Sequence, residues 1–116
     1  MRQEILLSAV LPLRDEAESL PGLHRELVEA LDGLGAGWEI VYVDDGSTDA
    51  SPLVLADLAA DPRVRAVRLD RGYGQSTALV AGAARACGRW LVTLDADGQN
   101  DPADIRALWR ALGEGG

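Results

Sequence analysis

The 116-residue sequence has very few of the residues that define several protein classes. It has one cysteine, Cys87, which excludes an intramolecular disulfide and leaves too few thiols for a cysteine-based zinc cluster. We expect Cys87 to be a small buried residue. No apolar stretch approaches the roughly 18 residues of a membrane span, and the N-terminus lacks the features of a secretory signal. These absences predict a soluble, cytoplasmic chain.

Lysine is also absent, and the eleven cationic side chains are arginines scattered along the chain. Because nineteen acids give a net charge of -8, we do not expect sequence-independent binding to nucleic-acid phosphates. The content of 47% hydrophobic and 26% charged residues is typical of one globular domain with one core. The acidic surplus indicates either good solubility or a cation site, depending on where the acids lie.

Four short apolar segments rich in β-branched and aromatic residues predict buried strands, at residues 5–11, 38–43, 64–69 and 90–94. We expect Pro12 to close the first strand. Between these segments, apolar spacings of three and four predict helices at residues 20–34, 51–60 and 75–86. Ser19 is the expected cap of the first helix, and Gly35 is its expected stop.

A fourth helix is expected to open at Asp101-Pro102, with one apolar face formed by Ile105, Leu108, Trp109 and Leu112. We place all three tryptophans, at positions 38, 90 and 109, in the core and His24 on the surface. Strands that alternate with helices predict an α/β fold with a parallel sheet of about four strands and helices on both faces. Ligands bind such sheets beyond the carboxyl ends of the strands.

Acidic residues are concentrated at two of these strand ends. Seven of the nineteen acids lie there: Asp44, Asp45, Asp49, Asp95, Asp97, Asp101 and Asp104. Asp95 and Asp97 are two residues apart, so in an extended chain they point to the same side, roughly 6 to 7 Å apart. Oxygen ligands of this kind favour Mg²⁺ or Mn²⁺, and Gln99 could add a carbonyl oxygen. The alternative is a solvated turn in which Asp101 caps the next helix.

The other strand ends allow two interpretations each. The segment 44–49 could present a carboxylate to a base or ribose hydroxyl, or it could be a turn with Gly46 at positive φ. The segment 72–75 leads into a helix N-terminus and could meet an anion, or it could be an ordinary loop. It is not a Walker loop because the lysine is absent, and its position after the third strand excludes the GxGxxG fingerprint.

Four ordered motifs carry a family resemblance: VLPLRDEAESLP, VDDGSTD, RGYGQSTALVAGA and LDADGQNDPADI. With them the chain resembles family 2 glycosyltransferases of the GT-A fold, and most closely the branch that makes polyprenol-phosphate sugars, such as the dolichol-phosphate mannose synthases. The resemblance implies a Rossmann-like nucleotide-binding half. It also implies a nucleotide-sugar site and a metal site, with catalytic residues left unassigned. The implied nucleotide-sugar residues are Pro12, Arg14, Glu16, Val43, Asp45, Asp95, Ala96 and Asp97; the implied metal ligands are Asp95, Asp97 and Gln99, holding Mg²⁺ or Mn²⁺.

Two departures from the family pattern stand out. The position of Arg14 is often aromatic in the family, so a guanidinium would have to replace the stacking ring and the identity of the base is open. Family members also continue into a second half that carries acceptor-binding residues. We therefore interpret residues 1–116 as a single nucleotide-sugar-binding domain, the donor-binding half of a longer enzyme or a truncated gene product.

The resemblance implies inverting, metal-dependent transfer of a hexose from a nucleoside diphosphate sugar to an acceptor, with a polyprenol phosphate favoured. The alternative is a catalytically incomplete nucleotide- and metal-binding fragment. A DxD phosphatase or a nucleotidyltransferase fits less well, because each needs other residues after the first strand, where this chain has Pro12. Segments C-terminal to this chain would give a second option for location, at the inner face of a membrane.

Overall fold

The computed structural model describes residues 4–96 and 104–113, in which four strands alternate with four helices. The elements in chain order are β1 (Leu7–Leu13), α1 (Leu20–Asp32), β2 (Trp38–Asp44), α2 (Ser51–Leu58), β3 (Val64–Arg68), α3 (Gln75–Arg85), β4 (Trp90–Thr93) and α4 (Asp104–Ala111). This alternation confirms the predicted α/β class. In those two ranges, no helix has the length and apolar character needed to cross a membrane.

All four strands are parallel and lie in the order β3-β2-β1-β4. The chain moves outward from β1 through β2 to β3, and then returns across the sheet to add β4 on the free side of β1. The strand order therefore reverses between β1 and β4. Such a reversal leaves a crevice at the carboxyl ends of the two strands, because the loops that follow them lead to opposite sides.

The prediction that Pro12 closes the first strand is wrong, because Pro12 lies inside β1, which continues to Leu13. β1 continues to pair with β2 as far as Leu13, whereas its last bond with β4 runs from the Leu94 N–H to the Val10 carbonyl, at 3.1 Å. The next donor in that second ladder would be the N–H of residue 12, which proline lacks. Pro12 thus ends only the pairing with β4, at the mouth of the crevice.

The larger core layer lies between the sheet and the three helices α1, α2 and α4. Leu11, Ile40 and Tyr42 of the central strands pack there against Leu27 and Leu31 of α1, and all five side chains are fully buried. Burying an aliphatic side chain of this size contributes about 1.5 to 3 kcal/mol. The leucine spacing that predicted α1 therefore marks the face that covers the sheet.

Of the helices within residues 4–96 and 104–113, α3 covers the opposite face, over a smaller cluster of Val10, Val41, Val43 and Ala78. The helix approaches closely because Gly82 faces the sheet. A Cβ at that position would lie 2.5 Å from Cγ1 of Val10. This close contact fixes the height of α3, and hence of its first residue, above the strands.

Helix α1 differs from its predicted ends for local reasons. Ser19 immediately precedes the helix, but its hydroxyl donates to the Glu16 carboxylate at 2.8 Å and caps no helix N–H. Its backbone is already helical, with φ −88° and ψ −19°, which turns the side chain away from the first turn. The helix ends at Asp32, before the predicted Gly35, because Gly33 takes the capping position.

The remaining ends differ from the prediction by one or two residues. Helices α2 and α3 end at Leu58 and Arg85, and strands β3 and β4 end at Arg68 and Thr93. The predicted opening of α4 at Asp101-Pro102 lies outside the described residues.

The prediction that every tryptophan is buried is wrong for Trp90. Trp38 and Trp109 are 5% and 3% exposed, whereas Trp90 is 37% exposed. Leu108 and Leu112 of the predicted α4 face are also exposed, at 52% and 44%. All three exposed residues belong to β4, to α4 or to the turn after α4. They lie at the side of the sheet where β4 pairs with β1 and, in the described part of the chain, with no second strand. Apolar periodicity shows which residues share a face but not whether another element covers that face.

Cys87 is exposed, contrary to its predicted burial, because it lies in the turn that leaves α3. Its backbone N–H donates to the carboxylate of Glu39, at 2.5 Å. Glu39 is only 2% exposed and also accepts the Ser8 hydroxyl at 2.6 Å. Ser8 in turn accepts the Gly88 N–H at 2.8 Å, and Arg65 reaches the second carboxylate oxygen at 3.4 Å. A buried acid thus ties the end of α3 to the amino ends of β1 and β2.

His24 is half-buried in α1, whereas the sequence placed it on the surface. Its Nδ1 lies 2.7 Å from the hydroxyl of Tyr42, a fully buried residue of β2. Burial raises the pKa of Tyr42, so the hydroxyl stays protonated and is available as a donor when Nδ1 of His24 carries no proton. Burial lowers the pKa of His24 below 6.5, while nearby Asp61 opposes that shift and Arg63 adds to it.

The lowered pKa of His24 predicts that the stability of the fold depends on pH. The pKa of His24 is lower in the folded state than in the unfolded chain, so the unfolded state binds the proton first as the pH falls. We expect the free energy of unfolding to decrease as the pH falls below about 6.5 toward the folded pKa. Because the chain has one histidine, a proton NMR titration reports it directly. In His24→Gln, which keeps an acceptor for Tyr42, this part of the pH dependence should disappear. A folded midpoint at or above 6.5 would contradict the assignment.

Candidate functional site

A cavity of about 210 Å³ opens at the point where the strand order reverses, beyond the carboxyl ends of β1 and β4. Its lining residues are Pro12, Leu13, Arg14, Glu16, Asp45, Gln75, Asp95 and Ala96. Six of them belong to the predicted nucleotide-sugar set: Pro12, Arg14, Glu16, Asp45, Asp95 and Ala96. They come from three loops that are far apart in sequence. The parallel topology brings them together because every strand ends at the same rim of the sheet.

Three of the predicted site residues are not among the described residues that line the cavity. Val43 does not line the cavity; its side chain packs in the smaller core under α3 and is fully buried. Asp97 and Gln99, two of the three predicted metal ligands, lie outside the described residues. Within the described chain, no three Asp, Glu, His or Cys side chains converge as a metal-binding cluster. Asp95 is therefore the predicted ligand whose surroundings the structure describes.

Asp45 holds the loop that follows β3. Its two carboxylate oxygens accept the backbone N–H groups of Tyr73 and Gly74, at 2.8 and 3.0 Å. The residue is 7% exposed, so this carboxylate acts at the wall of the cavity and not in open solvent. The sequence analysis left two interpretations open for this segment: a carboxylate that accepts hydrogen bonds from a base or ribose hydroxyl, or a turn with Gly46 at positive φ. The backbone bonds to residues 28 and 29 positions later were not predictable from the local pattern.

Gly46 allows that loop to approach the end of β2. Its φ of 77° is the predicted left-handed conformation. A Cβ on Gly46 would lie 2.4 Å from the backbone nitrogen of Gly72 and 2.6 Å from the carbonyl carbon of Arg71. The loop therefore passes directly over the glycine, and the absence of a side chain is a steric requirement of the site.

Arg14 reaches from the end of β1 toward the same loop. A Cβ on Gly72 would lie 2.9 Å from Nη1 of Arg14 and 3.2 Å from its Cζ, so the guanidinium lies against this glycine. Arg14 is exposed and lines the cavity. A planar guanidinium in this position offers a surface on which a ring can stack and N–H donors for an anion.

Asp15 fastens the β1 loop to the β2 loop, a role that the sequence did not predict. It has φ 54°, a left-handed conformation that aspartate tolerates better than most residues. Its carboxylate accepts the N–H groups of Thr48 and Asp49, at 2.7 and 3.2 Å. Its own N–H donates to the Ser47 hydroxyl at 2.8 Å. The signal in the sequence was the DGSTD motif, whose short polar side chains favour turns of this kind.

Ser51 and Asp49 continue this connection. The Glu16 N–H donates to the Ser51 hydroxyl at 3.0 Å, and the Ala17 N–H donates to the Asp49 carboxylate at 3.2 Å. Hydrogen bonds from Ser51 hold the pKa of the Asp49 carboxyl below its usual range. The first two loops of the rim are therefore joined by hydrogen bonds between their own residues.

Gln75 joins the third loop to the fourth. It is the first residue of α3, and its side-chain nitrogen donates to Oδ1 of Asp95 at 2.6 Å. The sequence analysis placed this glutamine at the end of a glycine-rich loop and at the start of a helix, and assigned it no role in the site. Its position at a helix start after the motif RGYG was the available signal.

Comparison with known proteins yields consistent matches. The family model described as "Glycosyl transferase family 2" matches residues 8–116. An undecaprenyl-phosphate 4-deoxy-4-formamido-L-arabinose transferase from Salmonella paratyphi B is 42% identical over 111 residues, covering 94% of this chain and 34% of the relative. The chain therefore spans about one third of the length of the curated relatives it matches.

Solved structures share the fold. S. aureus TarS 1-349 superposes with a TM-score of 0.73 at 18% identity, over 95% of this chain and 33% of TarS 1-349. The mannosyltransferase PcManGT from Pyrobaculum calidifontis, solved with GDP-Man and Mn²⁺, gives 0.63 at 24% identity, over 84% of this chain and 28% of that enzyme. These likenesses confirm the Rossmann-like GT-A architecture that the sequence motifs implied.

Proposed function

Because the chain belongs to glycosyl transferase family 2, we propose that its strand-end cavity binds the nucleoside diphosphate part of an activated sugar. The observation that carries this proposal is the convergence of Arg14, Asp45 and Asp95 on one cavity where the strand order reverses. The crevice at such a position is where open α/β sheets bind nucleotides. The proposed nucleotide-sugar residues are those of the sequence analysis that line the cavity, together with Asp97. Val43, which is buried in the core under α3, supports the end of β2 beneath them.

Asp95, Asp97 and Gln99 are the proposed ligands of a divalent cation. Asp95 lines the cavity and offers hard oxygen atoms, the donor type that Mg²⁺ and Mn²⁺ prefer. A bound cation would supply positive charge beside the leaving diphosphate. PcManGT, which shares the fold, was solved with Mn²⁺.

The proposed reaction is direct displacement with inversion at the sugar carbon. An oxygen of the acceptor forms a bond to the anomeric carbon while the bond from that carbon to the diphosphate oxygen breaks. The electron pair leaves with the nucleoside diphosphate. A polyprenol phosphate acceptor is already anionic near neutral pH and needs no base, whereas a hydroxyl acceptor would need one. The relative from Salmonella paratyphi B is named for transfer to undecaprenyl phosphate, which favours the lipid phosphate.

Nucleotide titrations with and without Mn²⁺ test the donor site. We expect UDP or GDP to bind the chain in a metal-dependent manner, measured by calorimetry. Asp95→Ala and Asp97→Ala should each weaken the metal-dependent binding at least tenfold, because each removes a carboxylate from the cation. Asp57→Ala removes an exposed carboxylate from α2 and serves as the matched control. Equal affinity in all variants would remove the metal assignment, and no binding of either nucleotide would overturn the donor site.

Transfer to a polyprenol phosphate is a separate test. Labelled sugar that appears on the lipid would show that these 116 residues suffice for the reaction. Metal-dependent binding without transfer would favour the alternative of a catalytically incomplete nucleotide- and metal-binding fragment.

A further inference from the structure

The hydrogen bond between Gln75 and Asp95 crosses the cavity wall and connects two loops that are twenty residues apart. The side-chain nitrogen Nε2 of Gln75 donates to Oδ1 of Asp95 at 2.6 Å. The amide nitrogen of Gln75 thus faces a carboxylate oxygen and restricts the position of the Asp95 side chain. Both residues line the cavity.

Contacts on either side of Gln75 fix its position at the start of α3. Asp45 accepts hydrogen bonds from the N–H groups of Tyr73 and Gly74, the two residues immediately before Gln75. Gly74 has φ 101°, a conformation that turns the chain into α3 and that glycine adopts without strain. The close packing of α3 on the sheet at Gly82 holds the other end of the helix. Both the loop before Gln75 and the helix after it are therefore held in place.

We infer that Gln75 is a positioning residue, which holds the carboxylate of Asp95 in place for a divalent cation and its diphosphate. The inference rests on the proposed function. A neutral amide is suited to this role because it restricts the carboxylate while leaving its negative charge intact. A cationic side chain in the same place would hold Asp95 equally well but would oppose the binding of a second positive charge. Residues that orient metal ligands change metal affinity by about tenfold or more when they are replaced.

Two substitutions of Gln75 separate these effects. Gln75→Met keeps the length and the helix propensity of the side chain but removes the N–H donor. We expect it to weaken Mn²⁺-dependent binding of UDP or GDP about tenfold and to leave binding without metal unchanged. Gln75→Lys keeps a donor and adds a positive charge, so it should weaken the metal-dependent binding further than Gln75→Met. Thr77→Ala, an exposed change in the same turn of α3, is the matched control and should bind as the unchanged chain does.

A double-mutant cycle with Asp95→Ala completes the test. If Gln75 acts through Asp95, Gln75→Met should have no further effect on nucleotide binding once Asp95 is alanine. The inference is overturned if Gln75→Met weakens binding equally with and without Mn²⁺, since Gln75 would then contact the nucleotide directly. It is also overturned if Gln75→Met or Gln75→Lys binds normally while Asp95→Ala does not. If the unchanged chain showed no Mn²⁺-dependent binding of UDP or GDP, the proposed function itself would be contradicted.

Discussion

Gly46→Ala is expected to destabilise the chain by about 2 to 5 kcal/mol and to abolish nucleotide binding. Two separate effects add. A side chain at φ 77° adopts a backbone conformation that costs about 1 to 3 kcal/mol. The new Cβ would also lie 2.4 Å from the backbone nitrogen of Gly72. Backbone atoms cannot rotate away, so the loop after β3 must move, and Asp45 would lose its bonds to that loop.

Gly35→Ala is the matched control for Gly46→Ala. Gly35 also has positive φ, at 69°, but a Cβ there would meet no atom within 4 Å. Gly35→Ala should therefore lower the free energy of unfolding only by the cost of the backbone conformation, about 1 kcal/mol, and should leave nucleotide binding intact. Urea denaturation and calorimetric titration of both variants measure the two effects. Equal losses of stability in the two variants would show that the approach of the loop to Gly46 is unimportant.

Glu39→Ala should cost about 3 kcal/mol of unfolding free energy. The substitution removes the acceptor for the Ser8 hydroxyl and for the Cys87 N–H, and hydrogen bonds to charged groups contribute about 1.5 to 3 kcal/mol each. Relief from burying the Glu39 charge offsets part of that loss. Arg65 is half exposed, so solvent screens its pairing with Glu39 and the loss of that pair contributes little.

Two further variants isolate the source of the Glu39 effect. Glu39→Gln keeps an oxygen for Ser8 and Cys87 and should lose only about 1 to 2 kcal/mol. Glu26→Ala removes an exposed acid from α1 and should change stability by no more than about 0.5 kcal/mol. Thermal and urea denaturation give these values. If Glu39→Gln proves as destabilising as Glu39→Ala, charge and not hydrogen bonding dominates at this position.

The sequence alone predicted which residues would meet at the site better than it predicted how they would be held. Asp45 and Asp95 follow apolar segments, and parallel topology then requires that they share a rim. Their partners could not be predicted, because Asp45 binds the N–H groups of Tyr73 and Gly74 through contacts that local spacing does not encode. The same holds for Asp15, whose carboxylate bonds residues more than thirty positions away.

The wrong predictions have a common physical origin. Trp90 and Cys87 were placed in the core by residue type, yet one lies on an edge strand and the other in the turn after a helix. His24 was placed outside for the same reason, although Tyr42 lies beneath it. Residue type states a preference for burial, but the arrangement of neighbouring elements decides it. The order of strands in the sheet is not contained in any one segment.

The crevice between β1 and β4 arises because residue 12 is a proline. Its ring nitrogen carries no hydrogen, so β4 separates from β1 after the bond to Val10 while β2 stays paired on the other side. A residue with an N–H at this position could extend the ladder toward Asp95 and narrow the gap between the two strands. The gap between β1 and β4 thus follows from the covalent structure of residue 12, and the proposed ligand could enter it without breaking any bond between paired strands.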